Sequence, residues 1–151
     1  MGFEIERKFL VGRMPDDLGQ YDFHVIEQAY LTTDPTIRVR KEDDLYYMTY
    51  KGKGLLSHEE YNLPLTREAY DTLKSKADGN IISKKRYLIP YDPYTIELDV
   101  FDPPFAPLVL AEVEFPSEEE AHVFHVPDWF AEDVTSDRRY YNSNMSRQVI
   151  S

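Results

Sequence analysis

Between positions 4 and 8 the chain reads Glu-Ile-Glu-Arg-Lys, and this run constrains the fold more than any other stretch. A β-strand sends alternate side chains to opposite faces, so Glu4, Glu6 and Lys8 share one face while Phe3, Ile5 and Phe9 hold most of the other. Two carboxylates side by side on a strand face repel, and a strand has little structural reason to select them. A solvated sheet face would account for one such run, but the pattern recurs. Arg38/Arg40, Lys51/Lys53, Lys84/Arg86, Glu97/Asp99 and Glu112/Glu114 are all charge pairs at i, i+2. On most of these segments the alternate positions are apolar, as in Ile37/Val39, Ile96/Leu98/Val100 and Val109/Ala111/Val113/Phe115.

The pairs are also sorted by sign. A solubilising surface normally mixes its charges, so a sandwich with every pair facing water leaves the sorting without a cause. A sheet that closes with its charged faces inward sets basic strands against acidic ones across a polar lumen. Eight strand candidates joined mostly by tight turns, with two short helices, describe a mainly antiparallel sheet or barrel. Predicted strands cover a first stretch within residues 1–12, then 23–32, 36–41, 45–53, 56–63, 81–89, 94–101 and 108–115. Asp34-Pro35, Asp43-Asp44, Pro90-Tyr91-Asp92-Pro93 and Asp102-Pro103-Pro104 separate several of them. Thr66 can cap a helix over 67–77, which Asp78-Gly79 would end, and Ser117-Glu118-Glu119-Glu120 has a capping-box pattern.

With 151 residues the chain is expected to be a single domain, spanning 1–151, with a real core. A net charge of −11 argues against general attraction to nucleic acid or an anionic membrane. No membrane span or signal segment is expected, and the absence of cysteine fits a cytoplasmic location while excluding thiolate metal sites. An anionic ligand must therefore meet a locally basic wall, metal ions, or both. Enclosed charge needs partners. A small polyanion for the Lys/Arg side, with a divalent metal for the carboxylate side, satisfies both. Hard oxygen donors favour Mg2+ or Mn2+ over zinc or copper. Gly52-Lys53-Gly54 is not a P-loop, and no serine or cysteine nucleophile pattern is present, so attack by an activated water is the economical chemistry. His122 and His125 are assigned to the surface or to packing, Trp129-Phe130 to the outer face of the barrel. Apolar strand faces outnumber the helices available to cover them, which leaves room for a homodimer.

Glu4-Ile5-Glu6-Arg7-Lys8 resembles the E-x-E-x-K signature of the CYTH superfamily, the triphosphate tunnel metalloenzymes. The resemblance continues through Gln28-Ala29-Tyr30-Leu31, Arg38-x-Arg40, Lys51, Glu60, Lys84-x-Arg86, Glu97-Leu98-Asp99-Val100-Phe101, Leu110 to Phe115 and Tyr140-x-Asn142. It implies a mainly β (α+β) fold, an eight-stranded antiparallel closed β-barrel with a few short helices outside, whose tunnel binds a triphosphate and divalent metal. By that resemblance Lys8, Arg38, Arg40, Lys51, Lys84 and Arg86 would hold the triphosphate, with Lys53 a further candidate. Glu4, Glu6, Glu60, Asp99, Glu112 and Glu114 would hold metal, with Glu97 a further candidate. Lys8, Tyr30, Glu4 and Glu6 are the catalytic candidates, Tyr30 bearing on how Lys8 is oriented. Tyr140 and Asn142 would belong to a tail that closes one tunnel mouth. The chain departs from the family pattern at His58 and Asn62, where Arg and a second Glu commonly flank Glu60. The implied activity is hydrolysis of inorganic triphosphate, with nucleoside triphosphates as further substrates. The alternatives are a class IV adenylate cyclase making cyclic AMP from ATP, and a non-catalytic polyphosphate-binding module.

Overall fold

The computed structural model describes residues 2–52 and 57–148. Nine strands form one sheet: β1 (Gly2–Val11), β2 (Phe23–Thr33), β3 (Thr36–Glu42), β4 (Leu45–Lys51), β5 (Ser57–Pro64), β6 (Asp78–Tyr91), β7 (Tyr94–Phe101), β8 (Val109–Glu114) and β9 (Phe130–Asp133). The strand order is β5-β4-β3-β2-β6-β7-β8-β1-β9, and β5 pairs in addition with β1. That last ladder carries the sheet round into a ring of eight antiparallel strands. The seam is short. It joins Gly2–Ile5 to Ser57–Glu60, while the next residues of β1, Glu6–Leu10, pair with β8 on the other side. Further along the seam edge, β9 takes over from β5, setting Asp133 opposite Phe9.

Alternation decides what lies on each side of the ring. Outside, the apolar faces of β1, β7 and β8 (Phe9, Ile96, Leu98, Ala111, Val113) pack with Phe115, Ala121, Phe124 and Phe130. These last four belong to the segment after β8, which includes helix α2 (Glu118–His122) and β9. Helix α1 (Arg67–Lys76) covers a second patch, burying Tyr70 against Ala29 and Val39. The Thr66 hydroxyl caps α1 by accepting from the Ala69 amide at 3.1 Å, and Ser117 does the same for α2 through Glu120 at 3.2 Å.

The third apolar cluster lies within the ring. Moving two residues along the inward face takes Lys8 to Leu10, Lys84 to Ile82, Asp99 to Phe101 and Glu112 to Leu110. All four arrivals are apolar, and they meet Tyr30, Val134 and Met145. The charged lumen therefore has an apolar floor at one end. Val134 and the short helix α3 (Asn142–Met145) complete it from the C-terminal segment.

Two elements differ from the sequence expectations. The four-residue β9 is too short for alternation to reveal, although Phe130 does pack against the outer face as expected. Helix α1 ends at Lys76 with Ala77 as its C-cap, so Asp78-Gly79 opens β6 instead of stopping the helix. Gly79 has another task. Its φ is +83°, and a Cβ there would stand 2.1 Å from the Ser146 carbonyl oxygen. That oxygen accepts from the Asn80 amide at 2.6 Å, while the Asn80 side chain donates to the Met145 and Gln148 carbonyls. Gly79 lets the C-terminal segment lie flush on the barrel. Lys53, the end of the expected fourth strand, lies outside the described residues, as do Gly54, Leu55 and Leu56, the last being the first residue of the expected fifth strand. No helix among the described residues is long and apolar enough to cross a membrane.

Gly79→Ala is expected to cost about 1–3 kcal/mol, from strain at positive φ and displacement of Ser146. Hydrogen exchange should rise selectively over residues 140–148. Unchanged exchange there would mean the close approach is not needed.

Candidate active site

The ring encloses a cavity of about 880 Å³ lined by both signs of charge. Glu4, Glu6, Lys8, Tyr30, Arg38, Arg40, Lys51, Glu60, Lys84, Arg86, Glu97, Glu112 and Glu114, all selected from the sequence, line this one space. The ladders place acid rows side by side, with Glu6 opposite Glu114 and Glu97 opposite Glu112. The basic rows meet neutral polar residues, Arg38 lying between Tyr30 and Thr49 and Arg40 between Gln28 and Tyr47. Acid and base touch at several places, among them Arg86 with Glu97 at 3.5 Å and Arg40 with Glu42 at 3.6 Å. Lys51 contacts Glu4 at 2.9 Å and Glu60 at 3.8 Å. Glu112 lies 3.5 Å from Lys8 and 3.7 Å from Arg86.

Asp99, expected among the metal ligands, sits behind the wall and does not line the cavity. It is fully buried, and both its oxygens are engaged: Oδ1 accepts from Arg86 Nε at 2.7 Å, Oδ2 from Lys84 Nζ at 2.7 Å and from Arg86 Nη2 at 2.9 Å. Burial opposes its ionisation, but Arg86 and Lys84 hold the carboxyl well below the usual range. Burial conversely pulls the Lys84 ammonium down, with Asp99 resisting. Asp99 thus aims two cations at the lumen. Alternation alone cannot separate it from Glu97, which shares its strand face.

The carboxylates divide by their neighbours. Glu112 is buried, yet Lys8 and Arg86 overcome that penalty and bring it down to about 2. Four others are pushed the opposite way. Burial, then Glu112 and Glu4, raise Glu6 well above the ordinary range. Burial, then the fields of Glu4, Glu97 and Glu60, raise Glu114 to about 7. Burial also raises Glu97, which Arg86 only partly offsets, and Glu60, which is pressed further by Glu4. Glu60 Oε2 and Arg38 Nε are buried without a hydrogen-bond partner among the described residues. No group of three or more His, Cys, Asp or Glu among the described residues stands at ready-made ligating distances. The acid wall is a crowd of mutually repelling carboxylates with too little positive charge inside it.

The C-terminal segment reaches the basic wall. Lys8 Nζ donates to the Tyr140 carbonyl oxygen at 3.0 Å and lies 5.7 Å from the Tyr141 ring centre. Tyr140 therefore contributes its backbone, and its ring packs against the apolar floor. Tyr30 is 2 % exposed, and its hydroxyl accepts from Gln28 Nε2 at 3.2 Å. Asn62, one of the two departures noted above, ties Glu60 to Thr49. Its Nδ2 donates to Glu60 Oε1 at 3.0 Å, and its Oδ1 accepts from the Thr49 hydroxyl at 2.6 Å. Gln28 was not singled out for any site role, because a lone glutamine on a strand carries no charge signal. It is wholly buried, accepting from Arg40 Nε at 2.8 Å and donating to Asn142 Oδ1 at 3.0 Å.

A ring of antiparallel strands around sign-sorted charge, floored at one end, defines a charged-tunnel barrel. The family model for the CYTH domain matches residues 2–146, and the chain belongs to that family. It is 41 % identical over 152 residues to an inorganic triphosphatase of Nitrosomonas europaea, covering 97 % of this chain and 98 % of the relative. It is 37 % identical to an inorganic triphosphatase of Acetivibrio thermocellus, covering 96 % and 94 %. The crystal structure of an inorganic triphosphatase superposes with a TM-score of 0.74 at 37 % identity, covering 100 % of this chain and 99 % of that one.

Two outcomes follow from these electrostatics. Asp99→Ala strands two buried cations, so chemical denaturation should show a loss of about 3–5 kcal/mol; a loss below about 1 kcal/mol would mean that Lys84 and Arg86 find other partners. The carboxyls raised by burial and by each other bind protons more tightly folded than unfolded. Their stabilising contribution is complete at acid pH below the unfolded range and falls as pH rises through about 7, where Glu114 ionises. Without added metal the protein should thus lose stability from about pH 5 to 8, and Glu114→Gln should flatten that slope in melts recorded across the range.

Proposed function

We propose that this protein is a divalent-metal-dependent triphosphatase that hydrolyses inorganic triphosphate to diphosphate and phosphate. The observation that carries the reading is the enclosure of a basic wall and an acid wall in one cavity, together with the activity named for two relatives that align along nearly the whole chain. A non-catalytic phosphate binder would need the basic wall and would be hindered by the acid one.

Arg38 and Arg40 can grip phosphate oxygens through paired N–H groups, while Lys8, Lys51, Lys84 and Arg86 add charge around the same space. The acid wall fits a hard dication. Its carboxyls are raised by their own repulsion, and Glu60 Oε2 is a buried oxygen without a hydrogen-bond donor. Glu4, Glu6, Glu60, Glu112 and Glu114 would hold Mg2+ or Mn2+, whose chemistry is to neutralise phosphate charge and activate water. Glu114, at the edge of the acid wall, would accept the proton of the attacking water. The water oxygen bonds to the terminal phosphorus as the bond to the bridging oxygen breaks. The electron pair leaves with the diphosphate, and Lys8, Lys84 and the arginines absorb its growing charge. The apolar floor supports a short phosphate chain as substrate over a polymer threading through.

Phosphate release should be measured with triphosphate, ATP and long-chain polyphosphate, with and without Mg2+ or Mn2+. Metal-stimulated release, fastest with triphosphate, is the expected result. Cyclic AMP from ATP would instead make this a cyclase, and binding without release a phosphate-binding module. Lys8→Ala and Glu114→Ala should each lower kcat at least about 100-fold with circular dichroism unchanged. Near-normal turnover would remove that residue from the machinery.

A further inference from the structure

Asn142 is joined to the basic wall by an arrangement that fixes which way its side chain faces. Arg40 can only donate, so the Gln28 atom it contacts is Oε1, and Gln28 presents its NH2 to Asn142. Lys84 also can only donate, and its Nζ lies 3.0 Å from the same Asn142 oxygen. Two donors converging on Oδ1 leave no choice of amide orientation. The Asn142 NH2 then points away from both. Among the described residues it has no protein partner. Nor is it one of the sealed, unpartnered atoms, which are Arg38 Nε and Glu60 Oε2. Since Asn142 lines the cavity beside Lys8, Lys84 and Arg40, its free N–H donors meet the space those cations surround.

We propose that Asn142 is a substrate-binding residue, brought to the basic wall by the C-terminal segment, whose NH2 donates to the phosphate chain while its oxygen holds Lys84 in place. The inference rests on the triphosphatase reading and extends it. A neutral donor at this point adds a hydrogen bond to the anion without a further buried cation. An oxygen acceptor orients the Lys84 ammonium without cancelling its charge, as a carboxylate would. The segment that closes the barrel thus also reads the substrate, and an enzyme with that segment displaced loses a phosphate contact as well as a cover.

The test is the Kd for inorganic triphosphate, by calorimetry on the metal-stripped full chain, for wild type, Asn142→Ala, Asn142→Asp, Lys84→Met and Asn142→Ala/Lys84→Met. Asn142→Ala should weaken binding about tenfold or more, and by a similar factor when Lys84 is already Met. Asn142→Asp keeps the acceptor for Lys84 and Gln28 but sets a carboxylate against the anion, so it should bind more weakly than Asn142→Ala at an unchanged unfolding temperature. The inference is overturned if the Asn142→Ala effect vanishes beside Lys84→Met, or if Asn142→Asp binds like wild type. Wild-type turnover of triphosphate with Mg2+ is measured alongside. Its absence would sink the functional reading and this inference with it, whereas turnover with either overturning result sinks this inference alone.

Discussion

Charge drawn in from water must be answered by other charge, and nearly every feature of this molecule follows from that demand. At the back of the basic wall it is met in full: Asp99 spends both oxygens on Lys84 and Arg86. At the front it is met in part, where Glu112 keeps its charge through Lys8 and Arg86. On the acid side Lys51 and Arg86 meet it only in part, and burial with mutual repulsion raises Glu6, Glu60, Glu97 and Glu114. A gradient from neutralised to frustrated charge runs across the cavity. Such frustration costs stability and persists where a ligand relieves it.

The ring of strands makes the gradient possible, because only a closed sheet can turn so many strand faces toward one another. The same alternation that turns charges inward sends apolar residues outward, where α1, α2 and β9 cover them. One step further along the inward face the residues become apolar, and the barrel acquires a floor. Lining, cover and floor are three consequences of a two-residue period.

That period is why so much could be read from the chain itself. Charged positions at i, i+2 are visible in a string of letters, and they mark most of the charged lining. What the string conceals is depth and pairing. Glu97 and Asp99 look alike as sequence, yet one lines the cavity and the other is consumed behind it, because Arg86 and Lys84 arrive from a neighbouring strand. Gln28 carries no charge and belongs to no motif of side-chain chemistry. Its importance comes from lying between Arg40 and Asn142, which are 102 positions apart in the chain. Gly79 reads locally as a helix stop, and only the long-range approach of Ser146 shows what its missing side chain permits.

The neighbours of β1 have a consequence for how the molecule comes into being. Of β1, β5 secures only residues 2–5, and its other partners β8 and β9 lie a hundred positions or more further along the chain. Lys8 then gains Thr135 and Tyr140 from later still. Contacts of such sequence separation form slowly. The chamber therefore closes around its charges only once residues 109–140 have crossed to meet β1.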